Sequence, residues 1–322
     1  MTSPRFDCLC AGIIVADHIC APVAQLPRAG ELALTDRLDL ALGGCASNVA
    51  VDLARLNLNV GIVGRVGDDS FGRFVREVLQ DSGVDCAGLS VSSTAETSGT
   101  LVINTQGEDR RFIHSLGANA ELTGQEVTTT DIQQTRVLYL GGYCLVDSLL
   151  PQTVANLFET ARQHGVTTVL DVVLSDAGQR DYQAWLSPVL PWTSVFVPNS
   201  DEAQLLTNLD HPADQAATLH AAGAERVIVT CGADGLVVVD ADRQLQVGVY
   251  PIDAIDSTGG GDGFIAGYIL GLLDQLDLEM CLRYGAAMGA HCVSQIGATA
   301  GALSADALRQ FVDTHNLNIR PL

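Results

Sequence analysis

The hydrophobic and polar positions along the chain follow two different periods, and each period predicts one kind of element. Short apolar runs bounded by turn residues are typical of buried strands, whereas apolar residues at helical spacing predict helices. The predicted strands cover 8–15, 60–63, 137–140, 166–173, 194–197 and 226–230. The predicted helices cover 46–57, 70–82, 151–164, 200–207, 214–222, 261–274, 278–294 and 304–316.

The alternation of strands with helices after residue 137 predicts the fold class. This order favours an α/β fold in which a mostly parallel central sheet carries helices on both faces. Segments 236–239 and 245–249 are predicted to add an antiparallel edge.

A smaller β element is predicted from segments outside this alternation. Residues 20–42 lack a helical period, and residues 99–104 and 110–114 are predicted to form a hairpin around Thr105–Asp109. We expect these segments to form a small β-sheet lid. The predicted core comprises 1–19, 43–87 and 119–322, and the predicted lid comprises 20–42 and 88–118.

Polar residues and glycines stand where ligands of such sheets usually bind, at the carboxyl ends of strands. Asp17, Asn199 and Thr230 each stand at the end of a predicted strand, and the pair Gly43-Gly44 precedes a predicted helix. The sequence therefore predicts a binding site along one edge of the sheet.

The composition excludes several classes of function. The chain has 322 residues, 47% of them hydrophobic, and a net charge of -21, which would repel nucleic acid and anionic membranes. All 17 basic residues are arginine. The absence of lysine excludes a Walker A loop, a pyridoxal phosphate enzyme and a protein kinase, because each depends on a lysine. Any nucleotide chemistry must therefore depend on backbone amides, arginine and metal ions.

Cysteine usage and apolar run length predict a cytoplasmic protein. The nine cysteines include no Cys-x-x-Cys pair, which argues against a disulfide framework or a zinc ribbon. The apolar runs are too short to span a bilayer, and the first residues lack the pattern of a signal peptide. We expect neither a membrane nor a nucleic acid as a partner.

A glycine cluster at a predicted helix start is the strongest chemical signal. The sequence there reads Asp256-Ser257-Thr258-Gly259-Gly260-Gly261-Asp262-Gly263-Phe264. Amides of Gly259, Gly260 and Gly261, backed by the helix dipole, can stabilise a transferring phosphoryl group. Asp262 would act as the general base that takes a proton from an attacking hydroxyl. The alternative is that Asp262 is a helix-start carboxylate and the glycines only allow tight packing.

The cluster resembles the C-terminal signature of the ribokinase family, also called the PfkB carbohydrate kinases. The N-terminal signature is similar too, and it reads Gly43-Gly44-Cys45-Ala46-Ser47-Asn48, then Leu53-Ala54-Arg55-Leu56, then Gly64-Arg65-Val66-Gly67-Asp68-Asp69-Ser70-Phe71-Gly72. Order and spacing agree over nearly the whole chain. The resemblance implies a ribokinase-like fold and an ATP-dependent kinase that uses Mg2+ to phosphorylate a hydroxyl of a small sugar.

Three shorter motifs lie between the two signatures and resemble family motifs. They are Gly117-Ala118-Asn119, Asn199-Ser200-Asp201-Glu202 and Thr230-Cys231-Gly232-Ala233-Asp234-Gly235. Taken singly each is weak, because an Asn-x-x-Glu is more often a helix cap and a Gly-Ala-Asp-Gly is more often a hairpin turn.

The resemblance also implies roles for individual residues. Acceptor hydroxyls would be held by Asp17, Gly44 and Asn48. The nucleotide would be bound by Asn199, Thr230, Gly232, Gly235, Ala287 and His291, although His291 is equally well interpreted as a core histidine. Metal ions would be held by Glu202, which would contact Mg2+ through water, and by Asp256 and Thr258, where many members bind K+.

Several departures from the family pattern put ribose in doubt as the substrate. Cys45 stands where ribokinases have lysine, Gly141-Gly142 replaces a glutamate, and Ala286 replaces an asparagine. Asp171-Val172-Val173-Leu174 lacks the Asp-x-Asn-x-Arg pattern associated with sugar-acid kinases. The catalytic residues are unaffected by these changes.

Alternative functions remain at this point. A nucleoside kinase of the same family is less favoured, because residues 20–42 contain no aromatic side chain to stack on a base. A catalytically silent sugar or nucleotide sensor is disfavoured by the intact glycine cluster, and a nicotinamide-dependent dehydrogenase by the lack of a Gly-x-Gly-x-x-Gly after the first strand. Exposed lid edges suggest a homodimer through the lids.

Overall fold

The computed structural model describes residues 4–107, 111–175 and 180–322. Residues 1–3 of the predicted core lie outside the described residues. So do residues 108–110, which include part of the predicted hairpin turn and the start of the predicted strand 110–114.

The elements of the described residues follow the alternation expected from the sequence. The strands are β1 (Phe6–Gly12), β2 (Val15–Val23), β3 (Leu38–Gly43), β4 (Val60–Gly67), β5 (Asp85–Ser92), β6 (Gly99–Thr105), β7 (Arg111–Ser115), β8 (Thr135–Tyr143), β9 (Thr167–Val172), β10 (Val195–Phe196), β11 (Arg226–Thr230), β12 (Leu236–Asp240), β13 (Gln244–Val247) and β14 (Ile319–Pro321). The helices are α1 (Cys45–Arg55), α2 (Ser70–Asp81), α3 (Thr129–Gln133), α4 (Pro151–Gln163), α5 (Tyr182–Leu186), α6 (Ser200–Thr207), α7 (Pro212–Ala221), α8 (Gly260–Leu273), α9 (Leu278–Cys292) and α10 (Ala305–Thr314).

The large sheet has the strand order β14-β13-β12-β11-β10-β9-β8-β1-β4-β5. Every pair from β11 to β5 is parallel, whereas β12, β13 and β14 join in antiparallel fashion. The predicted parallel sheet with an antiparallel edge is therefore confirmed. Strand β14 at the outer edge is not predicted by the sequence, because three residues are too short to show a period.

Helices cover both faces of this sheet, as predicted, and two apolar layers result. Successive residues of β1 point to opposite faces, so Cys8 packs in one layer with α1, α8, α9 and α10. Leu9 packs in the other layer with α4, α6 and α7. Helix α8 is buried along nearly its whole length, and burial of each large side chain such as Phe264 or Ile269 contributes about 1.5–3 kcal/mol. This burial holds the first turn of α8 in place.

The small sheet has the order β3-β2-β6-β7 and is separate from the large one. The sequence predicts a single strand over 8–15, and that prediction is wrong, because β1 ends at Gly12 in the large sheet and β2 begins at Val15 in the small one. Ile13 and Ile14 connect the two sheets. Asn119 fixes this connection, since its Oδ1 accepts from the Ile14 amide at 3.2 Å and its Nδ2 donates to the Ile14 carbonyl at 2.9 Å.

Two consequences for the predicted lid follow from these sheets. The small sheet begins at Val15, so Asp17 lies within β2 and not at the carboxyl end of a core strand. Strand β5 belongs to the large sheet, although 88–118 is predicted as lid. The division of the chain into a core and a lid that move separately stays a prediction.

Candidate active site

The start of α8 is held open by a glycine in a conformation that other residues avoid. Gly259 precedes the helix with a φ of 77°, and a Cβ added there would lie 2.0 Å from the carbonyl oxygen of Ala298. The first helical hydrogen bond runs from the Gly263 amide to the Gly259 carbonyl at 2.8 Å. The preceding amides of α8 therefore lie outside the helical ladder. A Cβ added to Gly261 would meet nothing within 4 Å, so there is open space in front of this turn.

Asp262 lies in this first turn and contacts Asn48 of α1. The Asn48 Nδ2 donates to the Asp262 Oδ2 at 2.8 Å, across two helices that are far apart in sequence. Burial raises the pKa of Asp262 to about 6, while the Asn48 hydrogen bond opposes this shift and the charge of Asp17 adds to it. The structure thus brings together Asp17, Asn48 and Asp262, which the sequence predicts as one site.

Glycine also shapes the start of α1. Gly44 precedes the helix with a φ of 90°, and a Cβ added there would lie 2.6 Å from the carbonyl oxygen of Ile13. The Ala46 amide donates to the same carbonyl at 3.2 Å. This close approach ties α1, and with it Asn48, to the connection between the two sheets.

A second carboxylate, Asp171, stands beside Asp262 and is not among the predicted site residues. It lies near the end of β9, and its Oδ2 accepts weak hydrogen bonds from the Tyr139 hydroxyl at 3.4 Å and the Gly142 amide at 3.3 Å. Burial, followed by the charge of Asp262, raises the pKa of Asp171 to about 7. Its place at the carboxyl end of a parallel strand is the sequence signal that could have found it.

The Cys45 thiol joins these two carboxylates. The Cys45 Sγ and one oxygen each of Asp171 and Asp262 lie within 4.8 Å of one another. Burial, and then the charges of Asp171 and Asp262, raises the pKa of Cys45 well above its usual value. The thiol is therefore protonated at neutral pH. The sequence singles out Cys45 only as a departure from the family.

Glu202 and Asn199 form the cap of α6. The Glu202 amide donates to the Asn199 Oδ1 at 2.8 Å, and the Asn199 amide donates to the Glu202 Oε2 at 2.9 Å, which is a capping box. Asn199 and Glu202 therefore do form a helix cap, as one interpretation of this motif predicts. Burial, and then the charge of Asp171, raises the pKa of Glu202 to about 8. The Glu202 carboxylate therefore lies close enough to Asp171 and Asp262 to be affected by their charges. A role in metal binding stays a prediction.

The other predicted metal ligands, Asp256 and Thr258, form a compact turn before α8. The Asp256 Oδ1 accepts from the Thr258 hydroxyl at 2.6 Å and from the Thr258 amide at 3.0 Å. Its Oδ2 accepts from the Gly297 amide at 3.0 Å. The pair therefore links the turn before α8 to the loop after α9.

The predicted nucleotide residues lie near the ends of β11 and α9. Thr230 ends β11, and Gly232 and Gly235 flank the short turn that leads to β12. Ala287 is fully buried in α9, whereas His291 is half-buried against Phe311, with ring centroids 4.7 Å apart. Burial lowers the pKa of His291, so the ring is neutral. Binding of a nucleotide by these residues stays a prediction.

A buried carboxylate behind the site is missed by the sequence. Asp52 lies on α1 one turn after Asn48, is fully buried, and accepts a weak hydrogen bond from the Cys292 thiol at 3.7 Å. Burial, and then the charge of Asp262, raises the pKa of Asp52 well above its usual value. In the sequence this residue looks like any polar position of an amphipathic helix.

None of the helices among the described residues is both long and apolar enough to cross a membrane.

Comparison with known proteins gives a family match over nearly the whole chain. Residues 5–305 match the family model described as pfkB family carbohydrate kinase. The ribokinase of Haemophilus influenzae is 27% identical over 292 residues, which cover 89% of this chain and 92% of the relative. The aminoimidazole riboside kinase of Salmonella typhimurium is 28% identical over 284 residues, which cover 85% of this chain and 89% of that protein.

A solved structure extends the likeness to the fold. The structure of Arabidopsis thaliana ribokinase complexed with ribose and ATP superposes with a TM-score of 0.82 at 21% sequence identity. The match covers 98% of this chain and 100% of that chain.

Proposed function

Because the chain belongs to the pfkB family of carbohydrate kinases, we propose that it transfers a phosphoryl group from ATP to a hydroxyl of a small, sugar-like substrate, with Asp262 as the general base. The likeness to ribokinase also confirms the ribokinase-like fold that the sequence predicts. The observation that supports this mechanism best is the position of Asp262, which lies in the first turn of α8 and contacts Asn48 at 2.8 Å.

Binding of the acceptor would use groups from both sheets. Asp17 of the small sheet and Asn48 of α1 offer a carboxylate and an amide, which suit hydrogen bonds to neighbouring hydroxyls. The backbone next to Gly44 would lie against the same sugar. These contacts would place one hydroxyl beside Asp262, and holding the reactants in this geometry lowers the entropic barrier.

Proton transfer would then use the raised pKa of Asp262. A base with a pKa of about 6 is mostly ionised at neutral pH and still accepts a proton readily. Asp262 would take the proton as the hydroxyl oxygen attacks the terminal phosphorus of ATP. The amides of Gly259, Gly260 and Gly261 would donate to the phosphoryl oxygens while charge develops on them.

Glu202 is chemically suited to hold the magnesium ion. Glu202 is a carboxylate whose raised pKa reflects burial without a compensating cation, and hard oxygen ligands are those that Mg2+ prefers. When bound, Mg2+ would neutralise charge on the ATP phosphates. Asp256 and Thr258 offer oxygen atoms for a monovalent cation such as K+ in the loop before α8.

We also propose a homodimer through the small sheet. Leu38, Leu40, Leu101 and Ile113, called here the apolar row, lie on one face of this sheet: Leu40 and Leu101 lie on either side of His18, Leu101 opposes Ile113, and Leu38 lies two residues from Leu40. All four side chains are exposed, and Leu38 is 71% exposed. A second copy of the row would cover them. The cytoplasmic location expected from the sequence stays a prediction.

A substrate screen tests the proposed function. The protein would be incubated with Mg2+ and ATP and a panel of neutral sugars, sugar acids, sugar phosphates and nucleosides, and ATP consumption would be measured. We expect turnover with at least one neutral sugar. Turnover only with nucleosides would favour the nucleoside kinase instead. No turnover, combined with thermal stabilisation by a sugar, would identify a silent sensor.

A further inference from the structure

The acceptor side of the site contains a set of three metal-ligating side chains, two of which, Cys45 and Asp171, have no role in the proposed phosphoryl transfer. The Cys45 Sγ lies within 4.8 Å of an oxygen of Asp171 and of an oxygen of Asp262. These three residues come from the start of α1, the end of β9 and the first turn of α8. They meet because the carboxyl ends of the strands and the two helix starts lie at the same edge of the sheet.

An independent observation points to a ligand at this cluster. Asn48 is 4% exposed, and its Oδ1 has no hydrogen-bond partner among the described residues. The same amide group donates through Nδ2 to Asp262, so its unpartnered oxygen is presented beside the cluster. A buried amide oxygen without a partner costs about 1–3 kcal/mol, and a bound group that it could contact would remove this cost.

The charges around the cluster favour a cation. The charge effects on these three side chains come from acids: Asp171 and Asp262 act on Cys45, Asp262 acts on Asp171, and Asp17 acts on Asp262. Ligands of a tetrahedral zinc ion lie about 3.5 Å from one another, so side-chain movements of about 1 Å would bring the three atoms into place.

We propose that Cys45, Asp171 and Asp262 bind one zinc-class divalent cation, which competes with the sugar acceptor. Thiolate and carboxylate ligands together select zinc-class ions, whereas Mg2+ prefers oxygen ligands alone. Binding displaces the Cys45 proton to solvent, and the three protein ligands leave a fourth position open to water or to the Asn48 oxygen. The Mg2+ proposed near Glu202 is a different ion with a different ligand set.

The expected consequence is inhibition of the kinase. An Asp262 oxygen that ligates a cation cannot take the proton of a hydroxyl, and the cation occupies the space that this hydroxyl would enter. This consequence rests on the proposed function of Asp262. The binding of the cation does not, because it needs only the three side chains.

Cobalt absorption tests the binding without any turnover. Co2+ would be titrated into the metal-free protein without ATP, and the thiolate-to-cobalt absorption would be followed before and after addition of Zn2+. We expect one equivalent of Co2+ to bind with this absorption, and Zn2+ to abolish it. Cys45→Ser should lose the absorption and weaken Zn2+ binding by at least about 10-fold. Cys86→Ser is the matched control, because this half-buried cysteine of β5 lies outside the cluster.

A second variant and a kinetic measurement complete the test. Asp171→Asn keeps the thiol and removes one carboxylate, so it should weaken Co2+ binding even if Cys45→Ser does not fold. With an active enzyme, Zn2+ should raise the KM for the acceptor more than that for ATP, and less so in Cys45→Ser. Absence of the thiolate absorption in the native protein, or its persistence in Cys45→Ser, would overturn the site. Equal inhibition of native enzyme and Cys45→Ser would overturn the competition with the acceptor. If no substrate is found, the absorption still decides the binding.

Discussion

Asp262 has two properties that suit the general base proposed above, a position in the first turn of α8 next to Asn48 and a raised pKa. Its carboxylate is held by Asn48 at 2.8 Å, and burial raises its pKa to about 6. An exposed aspartate would be a weaker base by about two pKa units, since its ordinary pKa is about 3.9. The environment of this residue is therefore matched to proton transfer at neutral pH.

Replacement of Asp262, the proposed base, should separate catalysis from binding. We expect Asp262→Asn to lower kcat by about 100-fold to 10,000-fold while it leaves the affinity for ATP and acceptor near normal, because the amide keeps the shape but cannot take a proton. Steady-state kinetics and calorimetric titration of both ligands would measure this. Asp253→Asn, an exposed change in the nearby loop, is the control. Ordinary turnover by Asp262→Asn would remove this residue from the mechanism.

The hydrogen bond from Asn48 predicts a shift in the pH profile. The bond favours the ionised form of Asp262 and so lowers its pKa. In Asn48→Ala the pKa should rise, and the acidic limb of kcat against pH, which reports the enzyme-substrate complex, should move to higher pH. The change should appear in kinetics measured from about pH 5 to about pH 9. Asn156→Ala, an exposed change on α4, is the control and should leave the acidic limb in place. If the acidic limb also keeps its position in Asn48→Ala, the pH profile does not report the pKa of Asp262.

The residues of the site differ in how far the sequence reveals them. Asn48 and Asp262 are predicted from motifs, Asp17 from its place after the first predicted strand and from the family resemblance, and the structure brings the three together. Asp171 and Cys45 are not predicted as site residues, because their meeting depends on how the end of β9 approaches the start of α1. Such contacts between distant segments arise only from the fold, and no local period of the sequence encodes them.

At the scale of elements, the turn before α8 predicts a contrast between two glycines. Gly259→Ala puts a Cβ 2.0 Å from the Ala298 carbonyl oxygen and forces an alanine to a φ of 77°. We expect a loss of about 1–3 kcal/mol in the free energy of unfolding, together with a fall in activity. Gly261→Ala has open space for its methyl group and should keep the native stability. Chemical denaturation of both variants would measure the difference, and equal stabilities would mean that the turn adapts freely.

The apolar row on the small sheet predicts a change in oligomeric state. Leu101→Asp places a charge in the centre of the row, so the proposed dimer should dissociate to monomers because burying that charge is costly. Light scattering at micromolar concentration would report the molar mass. Leu150→Asp, an exposed change at the start of α4, should leave the dimer intact. Native protein that is monomeric under these conditions would exclude the interface.

The elements themselves follow from the sequence where a period is long and clear. A helix is predicted over 261–274 and found as Gly260–Leu273, because the long apolar segment and the glycines at its start both favour a buried helix. Strand β5, Asp85–Ser92, is missed because its mixed polar and small residues lack a continuous apolar run. The change of sheet at Ile13 and Ile14 is missed because both residues are apolar and continue the run of β1.

For the molecule as a whole, the buried carboxylates predict how stability depends on pH. Asp171, Glu202 and Asp262 have raised pKa values of about 7, about 8 and about 6 in the folded state. The folded protein therefore holds protons that the unfolded chain has already lost, so these groups stabilise the fold at low pH. Their contribution is lost as the pH rises through these values. The repulsion within a net charge of -21 acts in the same direction.

We therefore expect the Tm to fall as the pH rises from about 5.5 to about 8. Thermal unfolding across this range would measure it. Glu202→Gln and Asp171→Asn remove groups responsible for the slope and should flatten the curve. The carboxyls with lowered pKa values act only at lower pH. Burial lowers the pKa values of His114 and His291, so these two groups oppose the trend within the range, but the three carboxylates with large shifts outweigh them. A Tm that rises steadily over the same range would contradict the assignment.

The short connection between the two sheets has a consequence for how this protein could diversify. Ile13 and Ile14 join β1 to β2, and the Asn119 side chain forms hydrogen bonds with both the amide and the carbonyl of Ile14. Asp17 thus belongs to one sheet, whereas Asp262 belongs to a helix on the other. On the proposed mechanism, a lineage could exchange one sugar for another by substitutions on the small sheet and keep the phosphoryl-transfer groups proposed for α8 unaltered.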